Sequence, residues 1–156
     1  MIIRAMNAED KPAIMQILLN TPEFDSRDLA VAEEVIDAYL HDPANSGYYV
    51  LVGELESGLA GYVCYGHNSM TQSTWDLYWI AVAREHQGKG TGRELMVKAE
   101  NNIKEAGGKL IILETSSTPD YDRTNRFYRG MGYKMVCRIA DYYSPGDDQI
   151  LYEKRL

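Results

Sequence analysis

The stretch Gln87-Gly88-Lys89-Gly90-Thr91-Gly92-Arg93 decides the fold. It has three glycines within five residues, and it separates an apolar, strand-like run (Leu77 to Val82) from a helical pattern that follows it. Glycine lets the backbone approach a ligand closely, and the first N–H groups of a helix have no partner inside the helix. The positive end of the helix dipole also attracts anions, and Lys89 and Arg93 add side-chain charge. The stretch therefore predicts a phosphate-binding turn at the start of a helix.

Two other phosphate-binding motifs contain similar glycines. A P-loop requires G-x-x-x-x-G-K-[ST], but residue 83 is alanine and residue 90 is glycine, which excludes it. A dinucleotide-binding turn requires G-x-G-x-x-G after a buried parallel strand, whereas this turn reads G-x-G-x-G and follows strands predicted to be antiparallel. Glu114 ends a later strand, as a ribose-binding acid would, so an NAD- or ATP-binding domain is kept as an alternative. A glycine turn without a ligand is the other.

The rest of the chain alternates between helical and strand periodicity. A strand, Ile2 to Met6, precedes two helices, the first capped by Asn7 or Asp10 and the second by Asp25 or Ser26. Three strands with short turns then predict an antiparallel meander: Tyr48 to Leu55, Leu59 to His67 and Thr74 to Val82. After the turn we predict a helix to about Ala106, a strand Leu110 to Thr115, a helix Tyr121 to Met131, and strands Tyr133 to Ile139 and Gln149 to Leu156. This order predicts a single α+β domain over residues 1–156, with four helices and a mixed, mostly antiparallel sheet of about seven strands.

Composition narrows the function classes. The net charge of −7 argues against partners such as nucleic acid or an anionic membrane, which need a basic face. It suits a cationic substrate, although acidity that serves only solubility explains the charge equally well. We expect a cytoplasmic protein, because no apolar run is long enough to span a bilayer. Cys64 and Cys137 lie in strand-like stretches without a second cysteine or a histidine at ligand spacing. We therefore expect buried structural thiols, with no disulfide scaffold and no metal site.

Three motifs together resemble the GNAT superfamily of N-acetyltransferases. The signature [QR]-x-x-G-x-[GA] is met by Gln87, Gly90 and Gly92, the preceding strand reads Trp79-Ile80-Ala81-Val82, and a later segment reads Phe127-Tyr128-x-x-x-Gly132-Tyr133. The resemblance covers nearly the whole chain. It implies a three-layer fold whose sheet splays between strands four and five at a bulge. It also implies transfer of an acetyl group from acetyl-CoA to a primary amine of a small molecule or peptide. Because neither cysteine has an activating histidine nearby in the sequence, we expect direct transfer in a ternary complex without an acetyl-enzyme.

The resemblance carries cofactor roles to matching residues. The backbone of the turn would bind the CoA pyrophosphate, and the strand before it would pair with the pantetheine arm, with the strand Leu110 to Thr115 as the opposite wall. Tyr128 matches the family's general acid, because a phenol can protonate a departing thiolate, although a purely packed tyrosine is the alternative. The cofactor-binding residues implied are Ile80, Ala81, Val82, Gln87, Gly88, Lys89, Gly90, Thr91, Gly92, Arg93 and Tyr128.

The amine must lose a proton before it attacks, so the site needs a base. Asp76 is the leading candidate, since it precedes Gln87 by the offset at which histone-acetylating members carry a glutamate on the same strand. Glu114, on the opposite wall, is the second, and ordered water is the third. The family's N-x-x-A-x-x-F-Y motif is incomplete, because Tyr121 and Thr124 occupy the Asn and Ala positions. Arg123 or Asn125 are the open substitutes.

In families of this kind, two segments hold the acceptor, and here they are Thr21 to Arg27 and Asp141 to Asp148. Their acidic and aromatic residues favour a cationic amine, although a hairpin loop of turn-forming residues explains the second segment equally well. The principal alternative function is a non-catalytic sensor that binds acyl-CoA without turnover. The sequence leaves the oligomeric state open, but an edge strand near the C-terminus can pair with a second copy in a homodimer.

Overall fold

The computed structural model describes residues 1–156 and contains one seven-stranded sheet with four α-helices. The strands are β1 Ile2–Ala5, β2 Tyr49–Leu55, β3 Gly58–His67, β4 Thr74–Val82, β5 Leu110–Ser116, β6 Lys134–Ser144 and β7 Asp147–Arg155. The helices are α1 Lys11–Leu19, α2 Ser26–His41, α3 Thr91–Glu105 and α4 Asp122–Gly130. The strands lie in the order β1-β2-β3-β4-β5-β7-β6, which confirms the predicted element order and fold class.

Side-chain caps explain where the first helical segments begin. Asn7 accepts a hydrogen bond from the Glu9 amide and caps a 3-10 turn that leads into α1. Asp25 accepts from the amides of Arg27 and Asp28 at the start of α2, and the Asp28 carboxylate accepts from the Asp25 amide in return. Of the alternatives left by the sequence, Asn7 and Asp25 are the capping residues, and the segment between α1 and α2 is fixed at its C-terminal end.

The only parallel pair in the sheet is β4 with β5, and it is short. The two strands pair from Thr74 opposite Leu110 to Asp76 opposite Ile112, and beyond that point they separate. All other neighbouring strands are antiparallel. The predicted splay between strands four and five is therefore confirmed, and we call the point of separation the fork. Its two arms are Leu77 to Val82 and Leu113 to Ser116.

A β-bulge at Tyr78 changes the face of the sheet to which the following side chains of the β4 arm point. Cys64 of β3 lies opposite Trp79, whereas the next residue, Tyr65, lies opposite Leu77, so Tyr78 is the extra residue. A bulge reverses the alternation of side chains along a strand. Accordingly, Leu77 packs against the α3 layer, while Trp79 packs against the opposite layer, two positions later on the strand.

Two apolar cores cover the two faces of the sheet. One consists of 16 buried residues beneath α3 and α4, among them Leu95, Ile103 and Tyr128. The other consists of 14 buried residues beneath α1 and α2, among them Ile14 and Ile36. Since helices lie on both faces, the fork opens into both helical layers, and a molecule in it can be reached from either side.

The outer strand β6 has no helix over either face, and all eleven of its residues are exposed. Cys137 lies on this strand and is exposed, so the expectation of a buried thiol there was wrong. Cys64, in contrast, is buried in the central strand β3, and its burial raises the thiol pKa to about 12. No helix in the structure has the length and apolar character needed to cross a membrane.

Candidate active site

A cavity of about 1210 Å³ lies at the fork, and both arms line it. Pockets for drug-sized ligands usually measure roughly 300 to 1,000 Å³, so this one has room for more than one small molecule. The glycine turn and Tyr128 line the cavity from the layer of α3 and α4. The segment between α1 and α2 lines it from the other layer. It therefore runs through the sheet from one face to the other.

No side chain caps the start of α3, which follows the glycine turn. Gly88 and Gly90 have φ angles of +73° and +92°, a conformation that favours glycine. The first helical hydrogen bond joins the Glu94 amide to the Gly90 carbonyl at 3.0 Å, and no side chain caps the helix. The amides of Thr91, Gly92 and Arg93 thus have no acceptor in the helix. Such an end is a ready site for an anion.

Gly92 lies where a Cβ atom would just fit against its neighbours. A Cβ atom at this position would lie 3.5 Å from Phe127 and Val82, which is an ordinary van der Waals distance, and the φ angle is not positive. Neither packing nor backbone conformation therefore requires glycine here. The residue lies on the wall of the cavity, where its backbone amide is accessible to a ligand.

Arg123, one of the two residues considered as substitutes for the motif Asn in contacting the pantetheine arm, joins α4 to the turn. Its Nη1 donates to Oε1 of Gln87 at 2.6 Å, and Nε2 of Gln87 donates to the Val82 carbonyl at 3.0 Å. Asn125, the other option, is buried and donates to the Ser116 and Tyr121 carbonyls, so it holds α4 in place. Tyr121, at the family's Asn position, donates from its hydroxyl to the Glu23 carbonyl at 3.0 Å.

Most predicted cofactor-binding residues line the cavity. The two exceptions are Lys89, which is exposed to solvent, and Thr91, which is buried at the start of α3. The residues of this set that line it are Ile80, Ala81, Val82, Gln87, Gly88, Gly90, Gly92, Arg93 and Tyr128. The prediction concerned mainly backbone groups, and the turn that carries them lies on the wall of the cavity.

Tyr128 stands at the wall of the cavity with only 6% of its surface exposed. Its ring contacts those of Phe127, Tyr133 and Tyr152, with centroids 5.6, 6.0 and 6.1 Å away. Burial raises its pKa well above the ordinary value for a phenol, and the nearby Tyr121 adds to the rise. The side chain is therefore held rigidly and stays protonated across the physiological range, as a proton donor requires.

Asp76 and Glu114 face each other across the fork. Asp76 is the last β4 residue that pairs with β5, and Glu114 lies two residues beyond its partner Ile112. Burial raises the pKa of both carboxyl groups, and the charge of Asp76 raises the pKa of Glu114 further. The Gln149 side-chain amide donates a hydrogen bond to Glu114 and partly offsets that rise. Two carboxylates with raised pKa values in a cleft are candidates for proton transfer.

The half of the cavity around these carboxylates is acidic and aromatic. Its further acids are Glu23, Asp25, Asp28, Asp120 and Asp147, and its aromatic residues include Phe24, Tyr78, Trp79, Tyr121 and Tyr143. The only cation there, Arg27, lies 3.2 Å from Asp25. Burial, followed by the charge of a neighbouring carboxylate, raises the pKa values of Tyr78 and Tyr143 to about 12. This half suits a cation, whereas Arg93 and Arg123 make the turn end suited to an anion.

Comparison with known proteins agrees with the resemblance seen in the sequence. A model of the Acetyltransferase (GNAT) family matches residues 11–133. An uncharacterized N-acetyltransferase of Methanocaldococcus jannaschii is 30% identical over 146 residues, which cover 85% of this chain and 89% of that protein. A Desulfovibrio desulfuricans crystal structure assigned to the GNAT family is 33% identical, with a TM-score of 0.95 over 99% of this chain and 98% of the other.

A more distant structure shares the fold alone. It is an aminoglycoside 6'-N-acetyltransferase complexed with coenzyme A, 20% identical to this chain, with a TM-score of 0.77 over 99% of this chain and 97% of the other. The family match covers most of the chain, and the two closer relatives extend over nearly its full length. The chain belongs to the GNAT acetyltransferase family and is an N-acetyltransferase.

Proposed function

We propose that residues 1–156 form one catalytic domain that transfers the acetyl group of acetyl-CoA directly to a cationic primary amine of a small molecule or peptide. One observation carries this proposal. The fork connects an uncapped helix end and a buried phenol on one face of the sheet with two carboxylates, Asp76 and Glu114, on the other. A polyanionic donor and a cationic acceptor can thus meet between the arms.

For the donor, the turn offers the unpaired amides at the start of α3, together with the charges of Arg93 and Arg123. These groups suit a pyrophosphate, since amides at a helix end and guanidinium groups both bind phosphate oxygens. The β4 arm no longer pairs with β5 beyond Asp76. The backbone of Ile80, Ala81 and Val82 therefore has a free edge along which the pantetheine arm can run. The coenzyme A held by the aminoglycoside enzyme of the same fold supports this choice of donor.

The chemistry needs two proton transfers that the named residues can supply. The ammonium of the acceptor gives one proton to a carboxylate at the fork, and the free amine attacks the thioester carbonyl. The C–S bond then breaks as the amide forms, and the departing thiolate takes a proton from the Tyr128 hydroxyl. The second proton of the attacking nitrogen restores Tyr128, and the carboxylate releases its proton to solvent. No acetyl-enzyme forms, and the buried Cys64 thiol, with its raised pKa, is a poor nucleophile.

Asp76 is the proposed base, with Glu114 as the alternative carrier of the proton. Asp76 lies at the apex of the fork, where both strands end their pairing, and its raised pKa brings it closer to neutral pH. Glu114 shares the same half of the cavity and has a raised pKa as well. Burial is the main cause of the rise in the pKa of Glu114, and the charge of Asp76 adds to it.

The proposed acceptor is a cationic amine because the segment between α1 and α2 and the β6–β7 hairpin both supply carboxylates to the cavity.

We also propose that the exposed outer strand β6 pairs with the same strand of a second copy. Its backbone edge is free and its exposed residues include Val136 and Ile139. Sedimentation of the purified protein tests for that homodimer. The cytoplasm is the proposed compartment, as both cysteines are unpaired.

Steady-state kinetics test the function. Release of the CoA thiol would be followed with acetyl-CoA and a panel of polyamines, amino acids, aminoglycosides and peptides, with both substrates varied. Direct transfer predicts intersecting double-reciprocal lines, and parallel lines would contradict it by indicating an acetyl-enzyme. If CoA binds tightly and no amine supports turnover, the sensor hypothesis replaces catalysis. Stabilisation by NAD or ATP but not by CoA would overturn the proposal.

A further inference from the structure

Only two buried side-chain oxygens in the structure lack a hydrogen-bond partner, and one of them is the Thr115 hydroxyl. The other belongs to Tyr62, which does not line the cavity. Thr115 does line the cavity, on the β5 arm of the fork, and only 6% of its surface is exposed. A buried hydroxyl without a partner is unfavourable, so its retention beside a cavity points to a partner that arrives with a ligand.

The hydroxyl groups that follow Thr115 in the sequence are all engaged with the protein. The Ser116 hydroxyl donates to the Asp147 carboxylate and lies 3.0 Å from the Thr118 hydroxyl. The Ser117 hydroxyl accepts from the Asp148 amide at 2.9 Å. These bonds hold the end of β5 to the β6–β7 hairpin. Thr115 is the only residue in this run of four whose hydroxyl has no hydrogen bond.

The face of β5 on which Thr115 lies indicates which substrate its hydroxyl would contact. Side chains alternate along a strand, so Thr115 points to the same face as Leu113, which belongs to the core beneath α3 and α4. Its cross-strand partner Ile150 belongs to that core as well. Glu114 and Ser116 point to the opposite face. Thr115 is thus on the side of Tyr128 and the glycine turn, away from the proposed acceptor.

Helix α4 fixes how near Thr115 lies to the reacting end of the slot. Asn125 donates to the carbonyl of Ser116, the residue next to Thr115, and accepts from the Tyr152 hydroxyl. Tyr128 lies one helical turn after Asn125 on the same face of α4, and its ring contacts Tyr152. The unpaired hydroxyl therefore lies beneath the part of α4 that carries the proposed acid.

We propose that the Thr115 hydroxyl donates a hydrogen bond to a carbonyl oxygen of the acyl-pantetheine arm and so positions the thioester beside Tyr128. This inference rests on the proposed binding of acetyl-CoA in the fork. Carbonyl oxygens are the acceptors that this arm presents, both in its amides and in the thioester. Backbone pairing along β4 would hold one side of the arm, and Thr115 would hold it from the opposite wall.

The test compares Thr115→Val and Thr115→Ser with a control, Thr71→Val. In the free protein the Thr71 hydroxyl is satisfied, donating to the Asn68 carbonyl at 2.9 Å and accepting from the Thr74 amide at 3.1 Å, and it lies outside the cavity. Thermal unfolding without ligand should therefore show Thr71→Val less stable than the wild type. Thr115→Val should be as stable as the wild type or more so. If Thr115→Val loses stability like the control while Thr115→Ser retains it, the hydroxyl has a protein partner and the proposal fails.

Calorimetry with CoA and with acetyl-CoA completes the test. One lost hydrogen bond corresponds to binding weaker by about 3- to 10-fold, expected for Thr115→Val and absent for Thr115→Ser and Thr71→Val. Equal losses for both ligands would assign the contact to a pantetheine amide carbonyl, and a loss for acetyl-CoA alone would assign it to the thioester. If Thr115→Val binds both ligands as the wild type does, the proposal is overturned. A wild-type protein that binds neither ligand would overturn the proposed function itself, and this inference with it.

Discussion

The two halves of the cavity are built from the same two strands but in opposite ways. On the face covered by α3 and α4, the donor half consists mainly of backbone, namely free amides at the start of α3 and an open strand edge on β4. On the face covered by α1 and α2, the acceptor half consists of side chains, chiefly carboxylates and tyrosines. A backbone site can be kept with few side chains fixed, whereas a side-chain site changes with every substitution. Side-chain substitutions should therefore affect the acceptor half more directly than the donor half.

The largest effect should come from the residue where the two halves meet. Tyr128→Phe removes the proposed acid and keeps the ring, so we expect kcat to fall about 10²- to 10³-fold while the Kd for CoA stays unchanged. The matched control is Tyr133→Phe, which loses a buried hydrogen bond to Glu100 outside the cavity. That variant should lose stability and keep kcat. Equal kcat values for the two variants would show that Tyr128 only packs.

The acceptor half should respond to pH. Activity of the wild type should fall as the pH drops through the pKa of the base, at a higher pH than for a solvated carboxyl group, because burial raises the pKa of Asp76. Asp76→Asn should lower kcat/KM by about 10- to 100-fold near pH 7 and by less at high pH, where free amine is abundant. Full pH profiles of kcat/KM measure this.

Glu114→Gln separates the two carboxylates. If Asp76 is the base, Glu114→Gln should retain most of the activity. If Glu114 is the base instead, Asp76→Asn should keep its activity and move its acidic limb to lower pH, since the charge of Asp76 raises the pKa of Glu114. Burial disfavours the ionised form of Asp76, so the free Asp76→Asn protein should be no less stable than the wild type at pH 7. If Asp76→Asn and Glu114→Gln each lost the same fraction of activity at every pH, neither carboxylate would be the base.

A smaller effect is expected where side chains assist the donor half. Arg123→Ala should weaken CoA binding by about 3- to 10-fold, and by less at high salt, because a charge near the phosphates is lost. The reference variant is Arg129→Ala on the same helix, whose side chain lies outside the cavity. Calorimetry at two salt concentrations measures both. Equal behaviour of the two variants would leave Arg123 with only its structural bond to Gln87.

The sequence predicts the donor half better than the acceptor half, for a physical reason. Glycine spacing, the helix start and the Phe127-Tyr128 pair are local features, so the turn and the proposed acid are found without knowing the fold. The approach of Glu114 to Asp76 depends on how far β5 pairs with β4, and no local pattern gives that length. The free Thr115 hydroxyl is equally hidden, because Ser116 and Ser117 read the same way in the sequence yet form hydrogen bonds.

Two further differences follow from position in the fold. Cys137 lies in a pattern typical of a half-buried strand, but β6 is the outermost strand and no helix covers it, so periodicity predicts a burial that does not occur. Helical periodicity alone could have shown that Arg123 and Asn125 face different neighbours. Arg123 and Phe127 are four residues apart and face the turn, whereas Asn125 and Tyr128 are three apart and face β5 and β7.

The central claim is that the free amides at the start of α3 bind the CoA pyrophosphate, and calorimetric titration of CoA into Gly92→Val tests it most directly. Gly92 suits the test better than Gly90, whose positive φ would strain any replacement. Loss of one or two charge-assisted hydrogen bonds predicts a Kd at least about 10-fold higher. Since a Cβ atom here would already contact Phe127 and Val82, the unfolding temperature of the free variant is measured alongside, to separate lost binding from lost folding. An unchanged Kd for CoA in this variant would contradict the account.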